Sequence, residues 1–135
     1  MFWDNIAGVY DIFEKVINKK TNQDLCVQIE KLISESDTVL ECACGTGLLS
    51  GVIAKKCTAL VATDFSAKML ERAKNKHREH TNIEFKQGNI LQIEYPDENF
   101  DVVVAANVIH LLDEPYKALS ELDRVCHKNR KIIIP

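Results

Sequence analysis

Two glycines at a strand-to-helix junction constrain this chain more than any other feature of its sequence. Thr38-Val39-Leu40-Glu41-Cys42 is a short apolar run rich in strand formers, Gly45-Thr46-Gly47 follows almost at once, and Leu48 to Lys56 resumes a helical pattern. A strand that runs through a glycine turn into a helix is the opening of a parallel βα unit. The glycines permit the tight turn and let a ligand approach the backbone, and the helix beyond points N–H groups at that ligand.

The remaining sequence repeats the unit. Ile6, Val9, Tyr10, Phe13, Val16 and Ile17 recur at helical spacing and predict an amphipathic helix over 4–18. Leu25, Ile29, Leu32 and Ile33 predict a second over about 22–34. Ala59 to Thr63 reads as a second strand, and Ser66 is placed to N-cap a helix through about Glu79, with Met69, Leu70 and Ala73 facing inward. Ile83 to Lys86 reads as a third strand, followed by a polar, proline-containing connection from Gly88 to Asn99. Phe100 to Ala106 is the most hydrophobic strand, as expected inside a parallel sheet. Pro115 suits the first turn of a helix whose apolar face is Ala118, Leu119, Leu122, Val125 and Cys126, and Lys131 to Ile134 begins a fifth strand. The alternation predicts an α/β fold with helices on both faces of the sheet. No repeat, low-complexity segment or linker interrupts it, so residues 1–135 read as one domain: N-terminal helices over 1–35 and an α/β core over 36–135.

A second chemical signal lies 17 positions after Gly47, where Asp64 closes the second strand. A carboxylate there accepts hydrogen bonds from both hydroxyls of a ribose. Phe65 beside it offers a face to an adenine. Gly45-Thr46-Gly47-Leu48-Leu49-Ser50 comes close to the dinucleotide pattern G-x-G-x-x-G. Glu41, at the mouth of the first strand, argues against a dinucleotide, because a pyrophosphate there would meet a like charge in a low-dielectric cleft. S-adenosylmethionine brings an ammonium and a sulfonium instead, to which an acid is complementary. An NAD(P)-dependent oxidoreductase, and a protein that binds the cofactor without catalysis, stay open as alternatives.

These residues resemble the class I S-adenosylmethionine-dependent methyltransferases, in particular the small-molecule type with a short N-terminal helical segment. Glu41-Cys42-Ala43-Cys44-Gly45-Thr46-Gly47 resembles the family's acid-x-Gly-x-Gly-x-Gly loop, with Ala43 where glycine is commonest. Asp64 corresponds to the acid that holds the ribose. Gly88-Asn89-Ile90 resembles a Gly-Asp-Ala segment whose acid bonds the adenine amino group; here the Asn89 side-chain oxygen would accept that bond. Tyr95 to Asp101 resembles the approach to the fourth strand, and Ala106-Asn107-Val108-Ile109-His110 the segment lining the methyl end of the pocket. Leu119 to Val125 resembles the helix before strand five, and Lys128-Asn129-Arg130 stands where Lys-Pro-Gly-Gly is usual. The resemblance covers residues 36–135 well. It implies a Rossmann-like three-layer sandwich with strand order 3-2-1-4-5. It also implies cofactor contacts from Glu41, Ala43, Gly45, Thr46, Gly47, Asp64, Phe65, Met69, Gly88, Asn89, Ile90 and Asn107, and Tyr10 closing over the cofactor. His110, just past the fourth strand, is the candidate general base. The family completes its sheet with two further strands, so the chain is expected to be cut short, with a fifth strand free to pair in a homodimer.

Composition narrows the partners. A net charge of -3 is not that of a dedicated nucleic-acid binder. Lys74, Lys76, His77, Arg78 and His80 are expected to be a solvated helix face rather than a nucleic-acid patch. No segment approaches the ~20 apolar residues of a membrane helix, and the first residues, with no basic region and no unbroken apolar run, lead to the expectation of no signal peptide. Five cysteines without framework spacing predict a cytoplasmic location and a role as small buried hydrophobes, with no metal site among them. The expected partner is a small-molecule methyl acceptor.

Overall fold

The computed structural model describes residues 22–106 and 108–135. The elements run α1 (Asn22–Leu32), β1 (Thr38–Cys42), α2 (Ser50–Lys56), β2 (Ala59–Asp64), α3 (Ala67–Lys76), β3 (Ile83–Gln87), β4 (Phe100–Ala105), a 3-10 turn (Ile109–Leu111), α4 (Pro115–Val125) and β5 (Cys126–Ile133). The helix expected over 4–18, with Tyr10, lies outside the described residues, as does Asn107. Among the described residues no helix is long and apolar enough to cross a membrane.

The five strands form one parallel sheet in the order β3-β2-β1-β4-β5, as the resemblance implies. β1 is central, with Val39 in register with Leu60 on one side and Val102 on the other. Strands covered on both faces are apolar throughout: Val39, Leu40, Val103, Val104 and Ala105 have no exposed surface. Successive units step outward from β1 in opposite directions, so right-handed crossovers put α2 and α3 on one face and α4 on the other. Leu25, Ile29 and Ile33 carry α1 and the turn after it into the same core.

Three local readings are corrected. The helix after the glycine turn begins at Ser50, because residues 45–49 continue as turn. The Ser66 oxygen does cap α3, accepting from the Met69 N–H at 3.3 Å, but the helix stops at Lys76 and Met69 is exposed; only Leu70 and Ala73 are buried. β5 starts at Cys126 rather than Lys131. Cys126 pairs with Phe100, residues 127–130 swing out opposite Asp101, and pairing resumes between Lys131 and Val102. Asn129 turns that excursion at φ +63, a left-handed conformation that asparagine tolerates better than most residues. The excursion carries Arg130 to the buried Asp37, 2.7 Å away, latching the entry to β1 onto the last strand.

Candidate functional site

The loop after β1 is set by its backbone. Ala43, Gly45 and Gly47 all have positive φ, at 55°, 58° and 86°. Gly45 and Gly47 adopt this region freely, whereas Ala43 is strained by about 1 kcal/mol where the family prefers glycine. A side chain at Gly45 would meet nothing within 4 Å, so the loop faces open space there.

Hydrogen bonds gather the strand ends around that space. The Gly45 N–H donates to Asp64 Oδ2 at 2.8 Å, and the Ser66 N–H to Asp64 Oδ1 at 2.9 Å. The Cys44 N–H bonds the Thr63 carbonyl, and the Gly88 N–H bonds the Asp64 carbonyl at 3.0 Å. The carboxyl ends of β1, β2 and β3 are thus tied edge to edge, where open α/β sheets place their ligands. Gly45, Asp64 and Gly88, expected from sequence to share a site, are brought together. A carboxylate offers about four acceptor positions, so Asp64 retains capacity beyond its two backbone donors.

The other expected residues fall around this centre. Phe65 is 75% exposed, and Met69 and Leu48 are also exposed, leaving apolar surface on the loop and beside Asp64. Thr46 sits half-buried in the turn, and Ile90 packs against the core. Asn89 is exposed, and its Oδ1 already accepts from the Leu91 N–H at 2.9 Å, leaving one lone pair for a ligand. Gly88, Asn89, Gln87, Thr63, Ile93 and Tyr95 line a cavity of about 120 Å³ at the β3 end. His110 is exposed in the 3-10 turn, and no acid orients its ring among the described residues.

Glu41 departs from expectation. It is 2% exposed and accepts a hydrogen bond from the Ser50 hydroxyl at 2.6 Å. Burial pushes its carboxyl up to about 7; the Ser50 bond opposes that rise and nearby Asp64 adds to it. It is no open negative charge at the strand mouth, so its supposed repulsion of a pyrophosphate loses force.

Two groups escaped the sequence reading. His77, assigned to a solvated face, is half-buried, and its Nε2 lies 2.6 Å from the Gly47 carbonyl oxygen. A Cβ on Gly47 or Gly51 would stand 2.9 or 2.8 Å from the His77 ring. Nothing local in the sequence signals a contact across 30 residues. Arg124 is the second: its guanidinium donates to Glu121 and to the Ile93 and Tyr95 carbonyls at 2.7–2.8 Å, while Glu121 accepts from the Ile93 N–H. This clamp fixes the wall between β3 and β4. Of the cysteines, Cys42, Cys44 and Cys126 are buried as expected, whereas Cys26 and Cys57 are only partly buried; burial pushes Cys42 and Cys126 up to about 12 and Cys57 to about 11, holding their thiols neutral.

Comparison with known proteins decides the family. A family model described as a methyltransferase domain matches residues 40–134. The chain belongs to that methyltransferase family. Within it, the domain is 36% identical over 99 residues to phosphatidylethanolamine N-methyltransferase of Cereibacter sphaeroides, covering 71% of this chain and 48% of the relative. It is 38% identical over 101 residues to the ubiquinone/menaquinone biosynthesis C-methyltransferase UbiE of Bdellovibrio bacteriovorus, covering 73% and 43%. A solved SAM-dependent methyltransferase from Aquifex aeolicus superposes with a TM-score of 0.68 at 25% identity, over 90% of this methyltransferase chain and 70% of that one. The chain spans less than half the length of the two sequence relatives.

Proposed function

We propose that the cleft at the β1, β2 and β3 ends binds S-adenosylmethionine, and that the domain serves transfer of its methyl group to a small-molecule acceptor. The observation that carries this is the Gly45–Asp64 pair: a glycine facing open space, bonded to a carboxylate with acceptor capacity left. The residues fit an adenosine moiety. Asp64 would hold the ribose hydroxyls, Phe65 and Met69 would cover the base, and Asn89 would take the adenine amino group. Tyr10 and Asn107 are assigned to the same site from the sequence.

Bound S-adenosylmethionine supplies a methyl carbon activated by its sulfonium. The protein contributes position and orientation. The Gly45–Asp64 bond holds the loop against the β2 end, and the Arg124 clamp holds the facing wall. Exposed, polar His110 is the group assigned to take a proton from an acceptor that must lose one. The names of the two relatives refer to phosphatidylethanolamine and to ubiquinone or menaquinone biosynthesis, which supports a small molecule over a macromolecule.

Calorimetric titration with S-adenosylmethionine, S-adenosylhomocysteine and NAD tests the reading, with Asp64→Ala as control and thermal unfolding recorded for both proteins. Binding of the two sulfur ligands, lost in a folded Asp64→Ala variant, is expected. Tight binding of NAD, or sulfur-ligand binding unaffected by the substitution, would overturn it.

A further inference from the structure

The turn after α3 gathers nitrogen and oxygen ligands that the cofactor cleft does not use. We propose that His77, Glu79 and His80 bind a single transition-metal cation of the Zn²⁺ type, beneath the glycine loop. One ligand atom from each residue lies within 4.8 Å of the others. Two nitrogens bound to one tetrahedral ion at about 2.1 Å stand about 3.4 Å apart, so modest side-chain rotation closes the set. His80 Nε2 is already 3.5 Å from Glu79 Oε1.

The state of the His77 ring is the second observation. A carbonyl oxygen only accepts, so the 2.6 Å contact with Gly47 puts the hydrogen on Nε2. In the neutral ring Nδ1 then carries a lone pair; it is buried and has no hydrogen-bond partner among the described residues. Metal-ligating histidines commonly have this arrangement, with the remote N–H held by a backbone carbonyl.

Gly51 is the third observation. The point where its Cβ would stand is 3.2 Å from His77 Nδ1 and 3.6 Å from His80 Nε2. The missing side chain leaves the space between the two nitrogens clear. Arg78, the cation between these residues in sequence, donates to Asn75 at 2.7 Å, which engages its guanidinium outside the set. Two imidazoles and one carboxylate suit Zn²⁺, Co²⁺, Ni²⁺ or Cu²⁺ rather than Mg²⁺ or Ca²⁺. An ion there would fix the imidazole that holds Gly47, so its occupancy would stiffen the glycine loop. This inference is independent of the cofactor reading.

The test is titration of tag-free, chelator-stripped protein with Co²⁺ and with Zn²⁺ alone, followed by visible absorption and calorimetry. One equivalent is expected to bind, with ligand-field bands and no sulfur charge-transfer band, and Zn²⁺ is expected to raise the unfolding temperature. His80→Ala and Glu79→Gln leave the His77–Gly47 bond in place. Each is expected to unfold as the parent does in chelator, yet to bind about tenfold or more weakly. Full-affinity binding in either variant, a thiolate band that assigns the ion to cysteine, or no binding at high micromolar Co²⁺ would overturn the proposal.

Discussion

Replacing Glu41 by Gln should make the protein more stable at alkaline pH and leave it little changed in mild acid. Glu41 is buried against Ser50, and its carboxyl is raised from the usual 4.5 to about 7. The folded protein therefore keeps a proton that the unfolded chain releases. Stability is highest below about 4.5, falls as pH rises toward 7, and levels off above. At about 1.4 kcal/mol per unit, the full fall is roughly 3 kcal/mol. Gln keeps an acceptor for the Ser50 hydroxyl and carries no charge, so the variant lacks this component of the pH dependence. Urea denaturation of both proteins at several pH values between about 5 and 8.5 measures it. The stability difference, variant minus parent, should open between about pH 5 and 7, level off above, and reach about 2–3 kcal/mol, with equal m-values showing that the unfolded states match. A difference that stays flat with pH would refute the argument, because it would mean that Glu41 titrates alike in both states. A parent that gains on the variant as pH rises would reverse its sign.

Other perturbations give further outcomes. Ala43→Gly relieves the left-handed strain, against the greater freedom of glycine in the unfolded chain, and should leave stability unchanged or raise it by up to about 0.5 kcal/mol in thermal denaturation. Leu122→Ala empties a fully buried position on α4 and should cost about 3 kcal/mol by urea denaturation. Arg124→Met keeps much of the stem's packing but breaks the clamp on Ile93 and Tyr95; it should cost about 2 kcal/mol and speed proteolytic cleavage within 88–99, read by mass spectrometry.

The sheet was legible because its information is local. Apolar runs of four to six residues ending in Gly45 and Gly47, in Asp64 or before Asn107 are strands by composition, and the glycine and acid mark their carboxyl ends. β5 was misjudged because Cys126-His127-Lys128-Asn129-Arg130 looks polar, and only its pairing of Cys126 with Phe100 makes it strand. Met69 looked core-facing because helical spacing gives the period of a stripe but not its edge. The charge state of Glu41 depends on burial by segments distant in sequence. His77 illustrates the same limit: the spacing of HREH describes a helix end, while its role comes from contact with Gly47 and Gly51 on another βα unit.

The central place of β1 has a consequence for how this polypeptide emerges from the ribosome. One flank of β1 finds its partner in β2 about a dozen and a half residues later, but the other must wait for β4, which ends at Ala105. Until then a half-sheet of β3, β2 and β1 presents an apolar, unpaired edge at what becomes the middle of the molecule. The interval between emergence of Gln87 and emergence of Ala105 from the ribosome is thus when the nascent chain is most open to pairing with a neighbour, and when a chaperone has the most to shield.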